Sequence, residues 1–510
     1  MNKNKFILLS CSAALGLSAN AQNSTEKPNI LFILCDDMGY GDLGCYGQQL
    51  IATPHLDQMA AEGMRFTQAY SGSPVSAPSR ATFWTGQHTG HTHIRSNKEY
   101  WSGTTMVDYG VNKDYSLVGQ EPLDPEHIII PEILKQNGYT TGLFGKWGAG
   151  YEGSASTPDK RGIDEFYGYI CQFQAHAYYP NFLNSYSRSA GDTCVSRITL
   201  EENVQHGMTG TEYEKRTQYS GDLIHQKALE WLDKQQAGTP FAGFLTYTLP
   251  HAELYQPNDS ILLAYKGLFC EENSGGDEGS RYHPTDIGHA QFAAMITRLD
   301  AYVGEILTKL KEKGLEENTI VIFTSDNGPH EEGGADPDFF NRDGLLRGIK
   351  QSTHEGGIRV PFIARWPGKI QAGAVSDLQF AFYDLMPTFC DVAGINGYPD
   401  AFRNKAKTEA GETDYFDGIS IYPTLMGQPD KQVKHEYLYW EFNTTQMLAV
   451  RKGDWKLVVQ NGQSRLYDLA NDLHEDRDVA SRNPKVLNEL KSIIRKEHVD
   501  NPTFPITMPR

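Results

Sequence analysis

Two uninterrupted apolar runs, each closed by a pair of acidic or amide side chains, set the tightest limit on what this chain can fold into. Asn29 to Cys35 reads NILFILC and is followed by Asp36-Asp37; Asn318 to Ser325 reads NTIVIFTS and is followed by Asp326-Asn327-Gly328. A strand without polar alternation is buried on both faces, the habit of parallel sheets covered by helices. Between the two runs lie segments of helical period, Pro54 to Gly63, Pro131 to Asn137, Asp222 to Gln235 and His289 to Lys313, and further strand runs, Thr140 to Phe144 and Phe241 to Leu249. The expected class is α/β, with a large central, mostly parallel sheet flanked by helices. In such sheets ligands sit outside the carboxyl ends of the strands, where both polar pairs fall.

Past about residue 395 the pattern changes. Asn396 to Asp417 has no apolar period and reads as a surface excursion. Glu436 to Phe442, Met447 to Arg451, Trp455 to Gln460 and Arg465 to Asp468 are short runs spaced for an antiparallel meander, and Pro484 to His498 is an amphipathic helix. A smaller C-terminal antiparallel sheet plus helix is therefore expected over 401–510, packed on a larger part over 22–400. Residues 1–21 read as an export signal: Lys3 and Lys5 precede an apolar stretch, Phe6 to Leu17, that ends in Ala19-Asn20-Ala21. The expected location is the periplasm or the medium, with no membrane span, since no later run reaches the ~18 apolar residues one needs. With 64 acidic against 46 basic residues the net charge is −18, which argues against a broad interface with nucleic acid. An anionic ligand must find a local cationic pocket. The seven cysteines lack C-x-x-C spacing, so neither a disulfide scaffold nor a zinc site is indicated, and any pairing stays open.

Asp36, Asp37, Asp326 and Asn327 offer only oxygen donors, the preference of a hard cation such as Ca²⁺ or Mg²⁺. Taken alone, each pair fits the turn chemistry of Asp and Asn better than a metal site. The cluster His88, His91 and His93 invites a zinc assignment by spacing, but Gly90 and the intervening threonines read as a loop. Glu201-Glu202 and Glu271-Glu272 read as solvated charge, and Trp84 as core packing.

The segment Ser73 to Gly86, SPVSAPSRATFWTG, places Ser76 two residues before Pro78 and four before Arg80. Here the chain resembles the sulfatase family, of the alkaline-phosphatase superfamily, whose signature is Cys or Ser, any residue, Pro, any residue, Arg, followed by Thr-Gly. The resemblance extends to Gly145-Lys146-Trp147, Pro250-His251, Ser325-Asp326-Asn327-Gly328 and Leu346-Arg347-Gly348-Ile349-Lys350. It implies that Ser76 is oxidised to formylglycine by a serine-type maturating radical enzyme before export. It further implies one Ca²⁺ held by Asp36, Asp37, Asp326, Asn327 and the modified Ser76, a cationic pocket of Arg80, Lys146 and Lys350, and His251 near the leaving oxygen. One position departs: where the family has His two residues after the lysine, this chain has Gly148. His176, in a Tyr-rich stretch, is the candidate replacement or sugar contact.

The physical demands of the reaction agree. A sulfate ester is a weak electrophile with a permanent negative charge, so its hydrolysis needs positive charge around three oxygens and a nucleophile better than water. A hydrated aldehyde on a metal supplies the second and can later expel sulfate by reforming its carbonyl, which an ordinary serine cannot do. The expected function is an exported sulfatase acting on a sulfated carbohydrate, galactose or N-acetylgalactosamine 6-sulfate first and the 4-sulfate second. The alternatives are a phosphatase or phosphodiesterase of the same superfamily and a catalytically silent glycan-binding relative.

Overall fold

Alternate residues of the apolar runs go to opposite faces of one sheet, and each face is sealed by its own helices. The computed structural model describes residues 26–101, 117–208, 210–271, 282–398, 405–408, 411–414 and 416–510, so the leader expected over 1–21 lies outside the described residues. Five parallel strands form the centre of a ten-stranded sheet, in the order Thr319–Ser325, Asn29–Cys35, Phe241–Thr246, Thr140–Lys146 and Glu165–Tyr169. Leu31, Ile33, Leu245, Val321 and Phe323 pack on one side, against the helices Ser220–Lys234 and Gly288–Glu312. Ile30, Phe32, Leu34, Phe244, Ile320 and Ile322 pack on the other, against Ser76–Thr85, Ile130–Gln136 and Leu385–Val392. Trp84 lies in this second layer, edge-on to Phe244 and 5.5 Å from Trp147 between ring centroids.

The expected α/β class holds, and the expected elements recur within a few residues of their sequence limits. Short strands on both flanks were not legible. Phe362–Arg365 joins antiparallel beside Thr319–Ser325, and Phe182–Ser187 beside Glu165–Tyr169. With four to six residues each, they carry too little alternation to stand out from loops.

Residues Leu438–Phe442, Met447–Lys452, Trp455–Gln460 and Gln463–Asp468 form the expected antiparallel meander. The helix Pro484–Glu497 covers one face of it through Leu490, Ile493 and Ile494. The other face, with Leu438, Trp440, Ala449 and Val458, packs on Tyr70, Ile358, Ala381 and Tyr383 of the larger part, and the Trp440 indole N–H donates to the Ser71 carbonyl (2.9 Å). Within 396–417 a backbone hairpin pairs Lys405–Thr408 with Gly411–Asp414, and the rest of 399–415 lies outside the described residues.

One charge reading turns out differently. Glu271 is not loose charge: its carboxylate accepts from the amides of His289 and Ala290 and caps the Gly288–Glu312 helix, while Glu272 lies outside the described residues. His88, buried, and His91, half-buried, are stacked, and they pair with Asp417 and Glu497; His93 goes instead to Glu121. Because the Gly90 amide donates to His88 Nδ1 (3.1 Å), Nε2 is the proton-bearing nitrogen that faces Glu497. The cluster ties the C-terminal helix to the loop that follows the Ser76 helix. Cys35, Cys45, Cys171, Cys194 and Cys390 are free thiols.

Gly145 marks a close approach that the site depends on. It adopts φ +126°, and a Cβ there would lie 2.0 Å from the Thr246 carbonyl oxygen of the neighbouring strand. Gly145→Ala is expected to cost about 2–4 kcal/mol, read as a lower urea midpoint at unchanged slope, because neither backbone can yield inside the sheet.

Candidate active site

The site forms where the parallel strands end. Asp36 and Asp37 follow Cys35, Asp326 and Asn327 follow Ser325, and Lys146 is the last residue of its strand. In an extended backbone Asp36 and Asp37 would point to opposite faces. Asp37 instead adopts φ +65°, a left-handed turn that Asp tolerates, and both carboxylates reach the same centre.

Ser76 is the first residue of the helix Ser76–Thr85, a helix the sequence motif did not announce. Pro78 sits in the first turn, where its missing N–H removes no intrahelical bond. The Ser76 hydroxyl donates to Asp36 Oδ1 (2.9 Å) and accepts from Lys146 Nζ (3.0 Å), and Lys146 also donates to Asp36 Oδ2 (2.6 Å). Arg80 lies one turn on, on the same face. Its Nε and terminal nitrogen hold Asp326 Oδ2 at 3.0 and 2.9 Å, and it donates to the Lys146 carbonyl. The positive end of this helix dipole points at the same place.

Lys350 closes the opposite side. Its ammonium donates to Asp37 Oδ2 (2.9 Å) and Glu332 Oε1 (3.0 Å) and lies 3.0 Å from His251 Nε2. His251 Nδ1–H donates to the Ala252 carbonyl (2.6 Å), which leaves Nε2 to accept from Lys350. His176 packs edge-on against His251, 4.2 Å between centroids, and pairs with the Tyr282 hydroxyl, itself bonded to Glu332. It therefore stands on the Lys350 side of the site.

Electrostatics follow from this crowding. Burial alone would raise the Asp36 carboxyl, but Lys146, His251 and Arg80 overrule it and hold it well below the usual range. Asp326 is pushed up to about 6, by burial first and then by the Asp36 charge. Burial brings His330 down to about 3. Beneath the centre, Asp42 and Arg342 form a fully buried pair; Arg342 also donates to the carbonyls of His330 and Asp37, which joins the two ligand loops.

Arg80, Lys146 and Lys350 face three aspartates and Glu332, so side chains alone give no surplus of positive charge for an anionic ester. A divalent cation would supply it. The donors suit a hard ion: they are all oxygens, and Asn327 Oδ1 is buried without a hydrogen-bond partner while its Nδ2 donates to Asp37 Oδ1.

All ten residues singled out from sequence thus fall in one region. His330, Glu332, Tyr282 and Gln172 were not foreseen. His330 and Glu332 follow Asp326-Asn327 closely enough for that motif to have flagged them; Tyr282 and Gln172 have no local signal and arrive through the fold.

A family model described as Sulfatase matches residues 28–395, which include every one of these motifs. The chain belongs to the sulfatase family. A second model, described as N-sulphoglucosamine sulphohydrolase, C-terminal, matches residues 349–500 of this sulfatase, the stretch from the Lys350 loop through the small sheet. The sulfatase is 28% identical to N-acetylgalactosamine-6-O-sulfatase of Bacteroides thetaiotaomicron, covering 93% of its own length and 94% of that protein's. It is 32% identical to N-acetylgalactosamine-6-sulfatase of Rattus norvegicus, over 88% and 74% of the two lengths. Among solved structures, Ps i-CgsB matches with a TM-score of 0.70 at 26% identity over 95% of each chain. Phosphonate monoester hydrolase of Agrobacterium radiobacter shares the fold alone, with a TM-score of 0.59 at 20% identity over 92% of this chain and 95% of that one. The sulfatase is accordingly a sulfuric ester hydrolase.

Proposed function

We propose that this sulfatase is exported and removes the 6-sulfate of galactose or N-acetylgalactosamine units in a glycan, with a formylglycine made from Ser76 and one Ca²⁺. The observation that carries this reading is the placement of Ser76: at a helix N-terminus, bridged to Asp36 and Lys146, and beside an all-oxygen donor set. The sugar class rests on the names of the relatives, chiefly the bacterial N-acetylgalactosamine-6-O-sulfatase matched along nearly its whole length.

Asp36, Asp37, Asp326 and Asn327 would hold the cation with the modified residue 76. When bound, the ion and the hydrated aldehyde supply a nucleophile of lowered pKa and a route for sulfate to leave. Arg80, Lys146 and Lys350 bind and orient the sulfate oxygens and take up charge as it develops. The Lys350 ammonium, which donates to His251 Nε2, passes that nitrogen a proton, and His251 delivers it to the departing sugar oxygen. His176 and Tyr282, beside His251, contact the sugar. We assign catalysis to residues 22–400 and a supporting role to 401–510, after a cleaved leader over 1–21. No helix among the described residues is long and apolar enough to cross a membrane.

The test begins with protein made alongside a serine-type maturating enzyme. The peptide carrying residue 76 should be two hydrogens lighter, and a panel of monosulfated galactose, N-acetylgalactosamine and N-acetylglucosamine isomers should show turnover first on a 6-sulfate. An unaltered Ser76 in active protein sinks the formylglycine; preference for another isomer sinks the substrate. Dialysis against a chelator is expected to lower kcat at least about 100-fold and the melting temperature by a few degrees, with recovery on adding Ca²⁺, because folded-state ligands stabilise in proportion to their binding.

A further inference from the structure

We infer that Gly148 and Gln172 form a recess that binds a hydroxyl of residue 76, with the Gln172 amide oxygen as acceptor; this rests on the formylglycine reading above. Gly148 follows Lys146 by two residues and adopts φ +68°, a left-handed conformation natural to glycine. A Cβ built on it would meet nothing closer than 3.6 Å. The nearest atoms are Arg80 Cδ at 3.6 Å, Gln172 Oε1 at 3.7 Å and Lys146 Cε at 3.7 Å. These three stems converge on one small space, and the Lys146 ammonium, one bond past Cε, touches the Ser76 hydroxyl.

Gln172 is 3% exposed, yet its Oε1 is buried with no hydrogen-bond partner. A buried amide oxygen left unpaired costs stability, so its presence in the recess lined by the Arg80 and Lys146 stems calls for a donor that arrives with function. Its backbone is held from behind: the Gln172 main-chain N–H donates to Gln120 Oε1 (2.8 Å), and Gln120 Nε2 reaches Cys171 Sγ. The two positively charged stems that share the recess cannot satisfy it through their carbon atoms. An O–H donor is what remains, and oxidised residue 76 offers two once hydrated. An amide does not titrate near neutral pH, so Gln172 orients that hydroxyl without taking its proton. It is a binding group for residue 76, set in the space that Gly148 leaves open.

The test uses the full chain with residue 76 converted, as confirmed by peptide mass; unconverted protein would overturn the formylglycine reading itself and not this one. An aminooxy probe reacts with the free aldehyde and not with its hydrate. Holding the hydrate by one hydrogen bond should slow labelling, so Gln172→Met is expected to label about tenfold faster than wild type in the absence of substrate. Inhibition by inorganic sulfate should stay within threefold, showing an intact anion pocket. Gln172→Glu, which keeps an oxygen at the same reach, should label at close to the wild-type rate. Equal labelling of wild type and Gln172→Met overturns the inference, as does faster labelling accompanied by loss of sulfate inhibition. A raised KM for sugar sulfate with unchanged labelling also overturns it, because the hydroxyl would then belong to the substrate.

Discussion

Ser76→Ala lowers kcat/KM on a sulfated sugar by at least about 10,000-fold, the scale of losing a covalent nucleophile whose partners act as a unit. The geometry gives no substitute. Among the described residues Ser76 Oγ is the one side-chain oxygen that Lys146 and Asp36 hold together, and the next hydroxyl on the helix, Ser79, is committed to the Gly72 amide. Inorganic sulfate should still inhibit the variant's residual binding of substrate, since Arg80, Lys146 and Lys350 keep their anchors in Asp326, Asp36 and Asp37. Ser76→Cys, made with a maturating enzyme that oxidises cysteine, yields the same aldehyde and should regain activity. A Ser76→Ala protein that retains more than a few per cent of activity would show that sulfur is attacked by some other group.

The second large effect lies far from the substrate. Lys456 belongs to the small sheet and is fully buried, with its ammonium 2.8 Å from Glu355 and 3.5 Å from Glu475. Those two carboxylates hold the loop that carries Lys350. Glu475 accepts from the Glu355 amide (2.7 Å), its carbonyl accepts from Arg347, and the Gly356 amide folds the loop back onto the Arg347 carbonyl. Glu355 also takes the Tyr70 hydroxyl (2.7 Å) and Arg451 (3.2 Å). Lys456→Met leaves two buried carboxylates without the cation between them, which costs about 3–5 kcal/mol. A lower denaturant midpoint and a raised KM are expected together, because Lys350 loses its fixed position. Lys456→Met/Glu475→Gln should recover part of the stability by removing one of the stranded charges. An unshifted midpoint in the single variant would mean that water or a counter-ion reaches these carboxylates.

The shared lattice also shows why the small sheet could be placed but not understood from its own residues. Its alternating runs gave away four strands, whereas the partner of Lys456 sits 101 positions earlier in the chain. The same division runs through the active site. Asp36-Asp37 and Asp326-Asn327 could be put at strand ends because an apolar run ending in carboxylates is a local pattern, and Arg80 could be put with Ser76 through the resemblance of Ser-x-Pro-x-Arg to the family signature, although the helix that joins them left no mark of its own. Gln172 and Tyr282 carry no such mark.

What the order of residues determined alone is therefore whatever depends on near neighbours: the buried strands, the amphipathic helices, the oxygen-rich strand ends and the Ser-x-Pro-x-Arg turn. Tertiary structure decided the rest. It turned Asp37 through a left-handed bend into the site, brought Lys350 and Glu332 against His251, set an unpaired amide oxygen beside Gly148, and locked the Lys350 loop to a lysine of the other sheet. The physical reason is the range of the forces involved. Periodicity and turn preference act over a few residues and leave a trace in their order, while ion pairs and hydrogen bonds form wherever packing brings two groups within about 3 Å, however far apart they lie along the chain.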